Sequence, residues 1–149
     1  MKILIFGLPG SGKTTLAKPL ADLLGGVHIN ADDVRTRYND WDFSVKARIE
    51  QAKRMLHLAD GVVLADRIAV IDFVCPLAKT RDLISADYTV FMDTIKESQY
   101  KDTNIIFQKP DPQEINYHVN AWFDDTDKQL GKVVLNYMLK QQGKQTERL

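Results

Sequence analysis

The segment GLPGSGKT, Gly7 to Thr14, satisfies the pattern G-x-x-x-x-G-K-[ST]. Glycines at this spacing let backbone N–H groups converge on phosphate oxygens, and a following helix adds the positive end of its dipole. Gly7, Leu8, Pro9, Gly10, Ser11, Gly12, Lys13, Thr14 and Thr15 are therefore the expected cradle for the phosphates of ATP. Lys13 is the expected catalytic cation at the β- and γ-phosphates, and the Thr14 hydroxyl suits the shell of a Mg²⁺ ion. The loop alone does not say what the nucleotide is for, since GTPases, motors and small kinases share it. The chain is short and has no clear NKxD guanine-reading segment, which favours a compact kinase acting on a small acceptor.

Such a kinase needs a carboxylate to orient the acceptor hydroxyl and take its proton, and cations to hold an anionic acceptor. In INADDVR, Asp32 follows a short strand and fits the first task; Arg35 and, further on, Arg48 fit the second. Aspartate is also favoured where a helix begins, so Asp32 or its neighbour Asp33 can be a cap, and the two roles need not compete. Asp72 ends another strand. It is either a carboxylate on the Mg²⁺ side in the manner of a Walker B residue, acting through water as Asp32 could, or an aspartate in a strand-ending turn.

The elements that must position these groups alternate along the chain. Ile3–Phe6 form a continuous apolar run, as in a strand buried on both faces. Leu16, Ala17, Leu20, Ala21 and Leu24 recur at helical spacing, with Pro19 expected to cost a hydrogen bond and a kink. Strands are predicted at Val27–Ile29, Ile68–Ile71 and Tyr88–Met92. Helices are predicted from Val45 to Val63, capped by Ser44, and over Leu77–Ile84. Lys101–Pro112 reads as a loop, Ile115–Ala121 as a half-exposed edge strand, and about 126–141 as a final helix before a polar, frayed tail. This alternation predicts an α/β fold of three layers, the P-loop nucleoside triphosphate hydrolase type. Its five-stranded parallel sheet would be ordered 2-3-1-4-5, with helices on both faces and ligands at the carboxyl ends of the strands.

The bulk numbers narrow the partners. The chain has 149 residues, enough for one domain, here read as a single kinase domain over 1–149. Twenty basic and twenty acidic residues balance, so nothing global advertises long nucleic acid or a membrane. A single cysteine, Cys75, and an apolar run too short for a signal segment at MKILIFG suit a cytoplasmic setting. His28, His57 and His118 lack metal-ligand spacing and read as structural or exposed. Trp41 and Trp122 read as packing residues.

Taken together, these segments resemble the adenylylsulfate (APS) kinases. INADDVR is similar to their DGDxxR segment, with Asn30 for the first Asp, Ala31 for Gly, and Asp32 and Arg35 retained. DFSVKARIEQAKR is similar to GFSxxxR followed by Asn and Arg: Phe43, Ser44, Arg48 and Arg54 match, Asp42 replaces Gly and Gln51 replaces Asn. FVCPLAKTRD resembles FISPxxxxR, keeping Phe73, Pro76, Lys79 and Arg81 with Cys75 for Ser, and VFMDT resembles the fourth strand. The resemblance runs to about Thr94. It implies that Asp32 faces the 3′-hydroxyl of APS, that Arg35 and Arg48 hold the phosphosulfate, and that Phe43 stacks on adenine. Phe107 is the candidate for a second stacking aromatic, and Gln51, Val74, Cys75 and Lys79 become further acceptor contacts.

The implied reaction consumes MgATP and APS and gives PAPS and ADP; the family also implies a homodimer. Besides these replacements, the chain departs in two more places. Its lid, around 101–112, is shortened and carries Lys101 and Lys109, and Asp72 stands where the family has a small hydroxyl residue. The alternatives are a polynucleotide 5′-hydroxyl kinase, whose phage members have a segment that looks like INADDVR, a nucleoside kinase, or a nucleotide-binding protein with little turnover.

Overall fold

The computed structural model describes residues 1–122 and 125–147. Its strands are β1 (Lys2–Phe6), β2 (Val27–Asn30), β3 (Ala69–Asp72), β4 (Tyr88–Met92) and β5 (Tyr117–Val119). Its helices are α1 (Lys13–Leu24), α2 (Ala31–Tyr38), α3 (Val45–Leu64), α4 (Ala78–Ile84), α5 (Lys101–Ile106) and α6 (Thr126–Glu147). All strand pairs are parallel, in the order β2-β3-β1-β4-β5.

The period-two alternation of β1 explains why its sequence is apolar throughout. Ile3 and Ile5 point to one face, where Leu16 and Leu20 of α1 and Leu130 and Val134 of α6 cover them. Leu4 and Phe6 point to the other, against Val34 of α2, Ala52 and Met55 of α3 and Ile84 of α4. A strand covered on both faces has no polar side to show. Truncating one of the fully buried anchors, Leu20 or Met55, to alanine would cost about 2–5 kcal/mol.

The structure corrects several expectations. Lys101–Pro112 is not all loop: α5 occupies its first half, and a 3₁₀ turn follows at Pro112–Glu114. β5 is a three-residue edge strand, shorter than the alternating pattern suggested. The final helix continues through the polar stretch to Glu147. Pro19 does not interrupt α1; the carbonyl it leaves unbonded belongs to exposed Thr15, where water can replace the missing N–H. Among the described residues, no helix is long and apolar enough to cross a membrane.

Candidate active site

The glycine-rich loop joins β1 to α1 in a backbone that favours glycine at Gly7, Gly10 and Gly12, all at positive φ. Gly7 has φ 157°, and a Cβ there would meet the Met92 carbonyl oxygen. Gly12 caps α1 at φ 96°, with the Met92 methyl and the Trp122 ring 3.6 and 3.7 Å from where a Cβ would stand. Thr94, just past β4, donates its hydroxyl to the Ser11 carbonyl at 2.6 Å and fastens the loop to the sheet. The Lys13 ammonium donates to the Leu8 carbonyl at 3.0 Å and is nearly buried. Burial pulls its pKa down, against the opposing charges of Asp72 and Asp32.

Strand order puts the end of β3, and with it Asp72, beside this loop. Its carboxylate, 2% exposed, accepts from the Thr14 hydroxyl at 2.6 Å and the Asn30 amide at 2.8 Å, with His28 Nε2 at 3.1 Å. Burial pushes this carboxyl up, but the bonds from His28, Thr14 and Asn30 and the Lys13 charge outweigh it and hold it below the usual range. Asp72 is therefore buried beside the phosphate loop and bonded to Thr14, and not in a solvated turn. His28, read in the sequence as merely structural or exposed, is one of its partners.

The helix cap is Asn30, not Asp32 or Asp33. The Asn30 side-chain oxygen accepts from the Asp33 N–H at 3.0 Å, and both aspartates lie in the first turn of α2, where negative charge suits the helix dipole. Asp32 is thereby free to face the cleft that opens over the phosphate loop. This cleft measures about 770 Å³ and is lined by Lys13, Thr14 and Asp72 of the phosphate end together with Asp32, Trp41, Phe43 and Arg48. Gln99, Tyr100, Asp102 and Thr103 close it from the α5 side, and Phe73 and Val74 form part of its floor.

Of the residues expected at the acceptor, Phe43, Arg48 and Val74 line the cleft. Arg48 is anchored there: Nε donates to the Phe43 carbonyl at 2.8 Å, a terminal nitrogen donates to the Thr103 hydroxyl at 3.2 Å, and Asp102 lies 3.9 Å away. Burial lowers its pKa and Asp102 opposes the shift.

The other residues expected at the acceptor do not line the cleft. Arg35 lies outside the lining and is spent on the backbone, donating to the Asp40 and Asp42 carbonyls at 3.0 and 2.9 Å with its guanidinium 4.4 Å from the Phe43 ring centre. It shapes the loop that presents Phe43. Gln51 is fully buried and donates to the Ala31 carbonyl at 2.9 Å while accepting from Arg54, so it supports α2 from below. Phe107 stacks with Phe6 and Phe91 at 6.4 and 6.1 Å and belongs to the core, not to an aromatic sandwich. Cys75 is buried against Thr80, its thiol pushed up to about 12 by burial, and Lys79 is exposed on α4 outside the cleft.

Sequence reasoning missed Asn30, His28 and the α5 residues of the cleft, and it undervalued Trp41. Asn30 carried a usable signal, since asparagine is among the preferred caps. The α5 residues carried none, because a six-residue helix is too short to show a period.

The donors around Thr14 fit Mg²⁺. Among the described residues no group of three or more His, Cys, Asp or Glu could cage a metal, and Mg²⁺ in phosphoryl-transfer sites asks only for one or two carboxylates, a hydroxyl and phosphate oxygens. Thr14 and Asp72 supply the hydroxyl and one carboxylate of that set.

Known proteins share this architecture. A probable adenylyl-sulfate kinase of Aeropyrum pernix is 34% identical over 84 residues, which are 52% of this chain and 46% of that protein. The chain thus matches about half the length of that relative. Its fold is that of the Mycobacterium tuberculosis APS kinase CysC in complex with AMPPNP and APS, with a TM-score of 0.69, 21% identity, and coverage of 92% of this chain and 96% of that one. The gluconokinase of Sinorhizobium meliloti 1021 is similar in fold, with a TM-score of 0.65, 13% identity, and coverage of 95% and 96%. Residues 3–82, more than half of the sequence, match the AAA domain family, and the chain belongs to that family.

Proposed function

We propose that the protein is an ATP-dependent kinase, a single P-loop domain that transfers the γ-phosphoryl group to the 3′-hydroxyl of APS and releases PAPS and ADP. One observation carries this reading: Asp32 lines one cleft together with Lys13, Thr14, Phe43 and Arg48. The phosphates of ATP lie along the loop, with Lys13 on the β- and γ-oxygens. Phe43 offers a face for a planar base and Arg48 a cation for the acceptor's anionic group. Asp32 orients the hydroxyl and accepts its proton as oxygen attacks phosphorus in line and the bond to ADP breaks; no covalent enzyme intermediate is needed. Thr14 and Asp72 would hold Mg²⁺, which when bound would supply neutralisation of the charge on the transferring group. The similarity to a probable adenylyl-sulfate kinase supports APS as the acceptor.

A second reading has its own support. Arg35 is committed to backbone carbonyls and Arg48 faces Asp102, so the acceptor side holds one partly neutralised cation. That charge balance favours a less anionic acceptor, such as a nucleoside. Incubation with labelled MgATP and, separately, APS, a nucleoside panel and a 5′-hydroxyl oligonucleotide decides between them. Label in PAPS supports the first reading. Label in the oligonucleotide or a nucleoside with none in PAPS overturns it.

A further inference from the structure

Asn30 does two things at once. Its side-chain oxygen caps α2, while its amide nitrogen donates to Asp72 at 2.8 Å and lies 3.3 Å from the Thr14 hydroxyl. The cap fixes the rotamer, so the amide N–H must point at Asp72. The side chain thereby links the helix that carries Asp32 to the pair that meets MgATP. A carboxylate at position 30 could still cap α2, since Asp and Asn cap equally well. It could not donate, and it would set two negative oxygens against each other where one bond now stands.

We propose that Asn30 is a positioning residue for the MgATP site. It holds the Asp72 carboxylate against Thr14, and it must be uncharged for as long as position 72 is acidic. The pair acts as one unit of a single negative charge shared across two strand ends. Exchanging the two side chains, Asn30→Asp with Asp72→Asn, keeps that unit: the amide again faces the carboxylate, and the carboxylate comes to lie at the position 3.3 Å from Thr14. This rests on the MgATP half of the proposed reaction and not on the identity of the acceptor.

The test is a double-mutant cycle on the full chain, read as the ATP dissociation constant with and without Mg²⁺, with circular dichroism and thermal melting as checks of fold. In wild type, Mg²⁺ should tighten ATP binding. Asn30→Asp and Asp72→Asn should each reduce that Mg²⁺ effect about tenfold, the scale of a lost hydrogen bond to a charged group. The double variant should recover it to within about threefold. Asn30→Ser keeps a cap without a charge and should lose about threefold, which gives an arm that does not depend on Asn30→Asp folding.

If Asn30 is only a cap, Asn30→Asp and Asn30→Ser will both keep the full Mg²⁺ effect, and the proposal fails. It also fails if the double variant is no better than the single ones. Loss of this cycle with label transfer to APS intact would overturn the proposal alone; an intact cycle with no transfer to APS would overturn the acceptor alone.

Discussion

Replacing Gln51 by leucine separates a support from a substrate contact. Gln51 is fully buried, donates to the Ala31 carbonyl at 2.9 Å and accepts from the Arg54 guanidinium at 3.2 Å. The bond to a neutral carbonyl is worth about 1 kcal/mol and the bond from a charged donor about 1.5 kcal/mol. Leucine is close in volume and buries well, which returns part of this. The loss of its partner also frees Arg54, which keeps its 2.8 Å pair with Asp40. A net destabilisation of about 1–2 kcal/mol follows, a fall of roughly 2–8 °C in Tm for a chain of this size.

The assay is thermal unfolding by circular dichroism beside steady-state kinetics. Ala31 precedes Asp32, so loosening its carbonyl should lower kcat more than it raises the acceptor KM. An unchanged Tm with a raised acceptor KM would mean that Gln51 touches the acceptor and that the assignment as a support is wrong.

Two further outcomes follow from named groups. Cys75, fully buried with its thiol pushed up to about 12, should resist alkylation at pH 8 in the folded protein and react only after denaturation; rapid labelling of the native chain would contradict its placement. The Asp40 carboxyl is held below its ordinary value, first by the Asp42 N–H and then by Arg54, so it stabilises the loop that carries Phe43. A depressed folded pKa gives stability that is full above the unfolded carboxylate value, about 4, and is lost as pH falls through the lower folded value. The stability difference between wild type and Asp40→Asn should accordingly be flat above about pH 5 and shrink toward pH 3; a difference that grows on acidification would reverse the sign.

What the sequence made legible was local. The phosphate loop, Ser44 as a cap and the strand Tyr88–Met92 depend on neighbours a few residues away, and each is where the pattern puts it. What it hid depends on distant partners. Phe107 looked like a stacking residue because nothing nearby shows that Phe6 and Phe91 lie beside it in space. Arg35 looked like an anion ligand because its bonds go to backbone carbonyls, which carry no sequence signature. Asn30 and Asp72, two separate departures from the APS kinase pattern that the sequence resembles, are bonded to each other across 42 residues. The polar end of α6 shows no apolar stripe, so the helix seemed to stop before it does.

The central claim is that Asp32 performs chemistry at the mouth of the phosphate loop. Transfer of label from MgATP to APS by Asp32→Asn, measured in a single turnover beside the ATP dissociation constant, tests it most directly. The substitution keeps size and the first turn of α2 but removes the proton acceptor. Transfer should fall by about 10²–10⁴, the usual contribution of a positioned acid or base, with ATP affinity within about threefold of wild type. A variant that transfers label at the wild-type rate would contradict the account and leave Asp32 as a charge on a helix end.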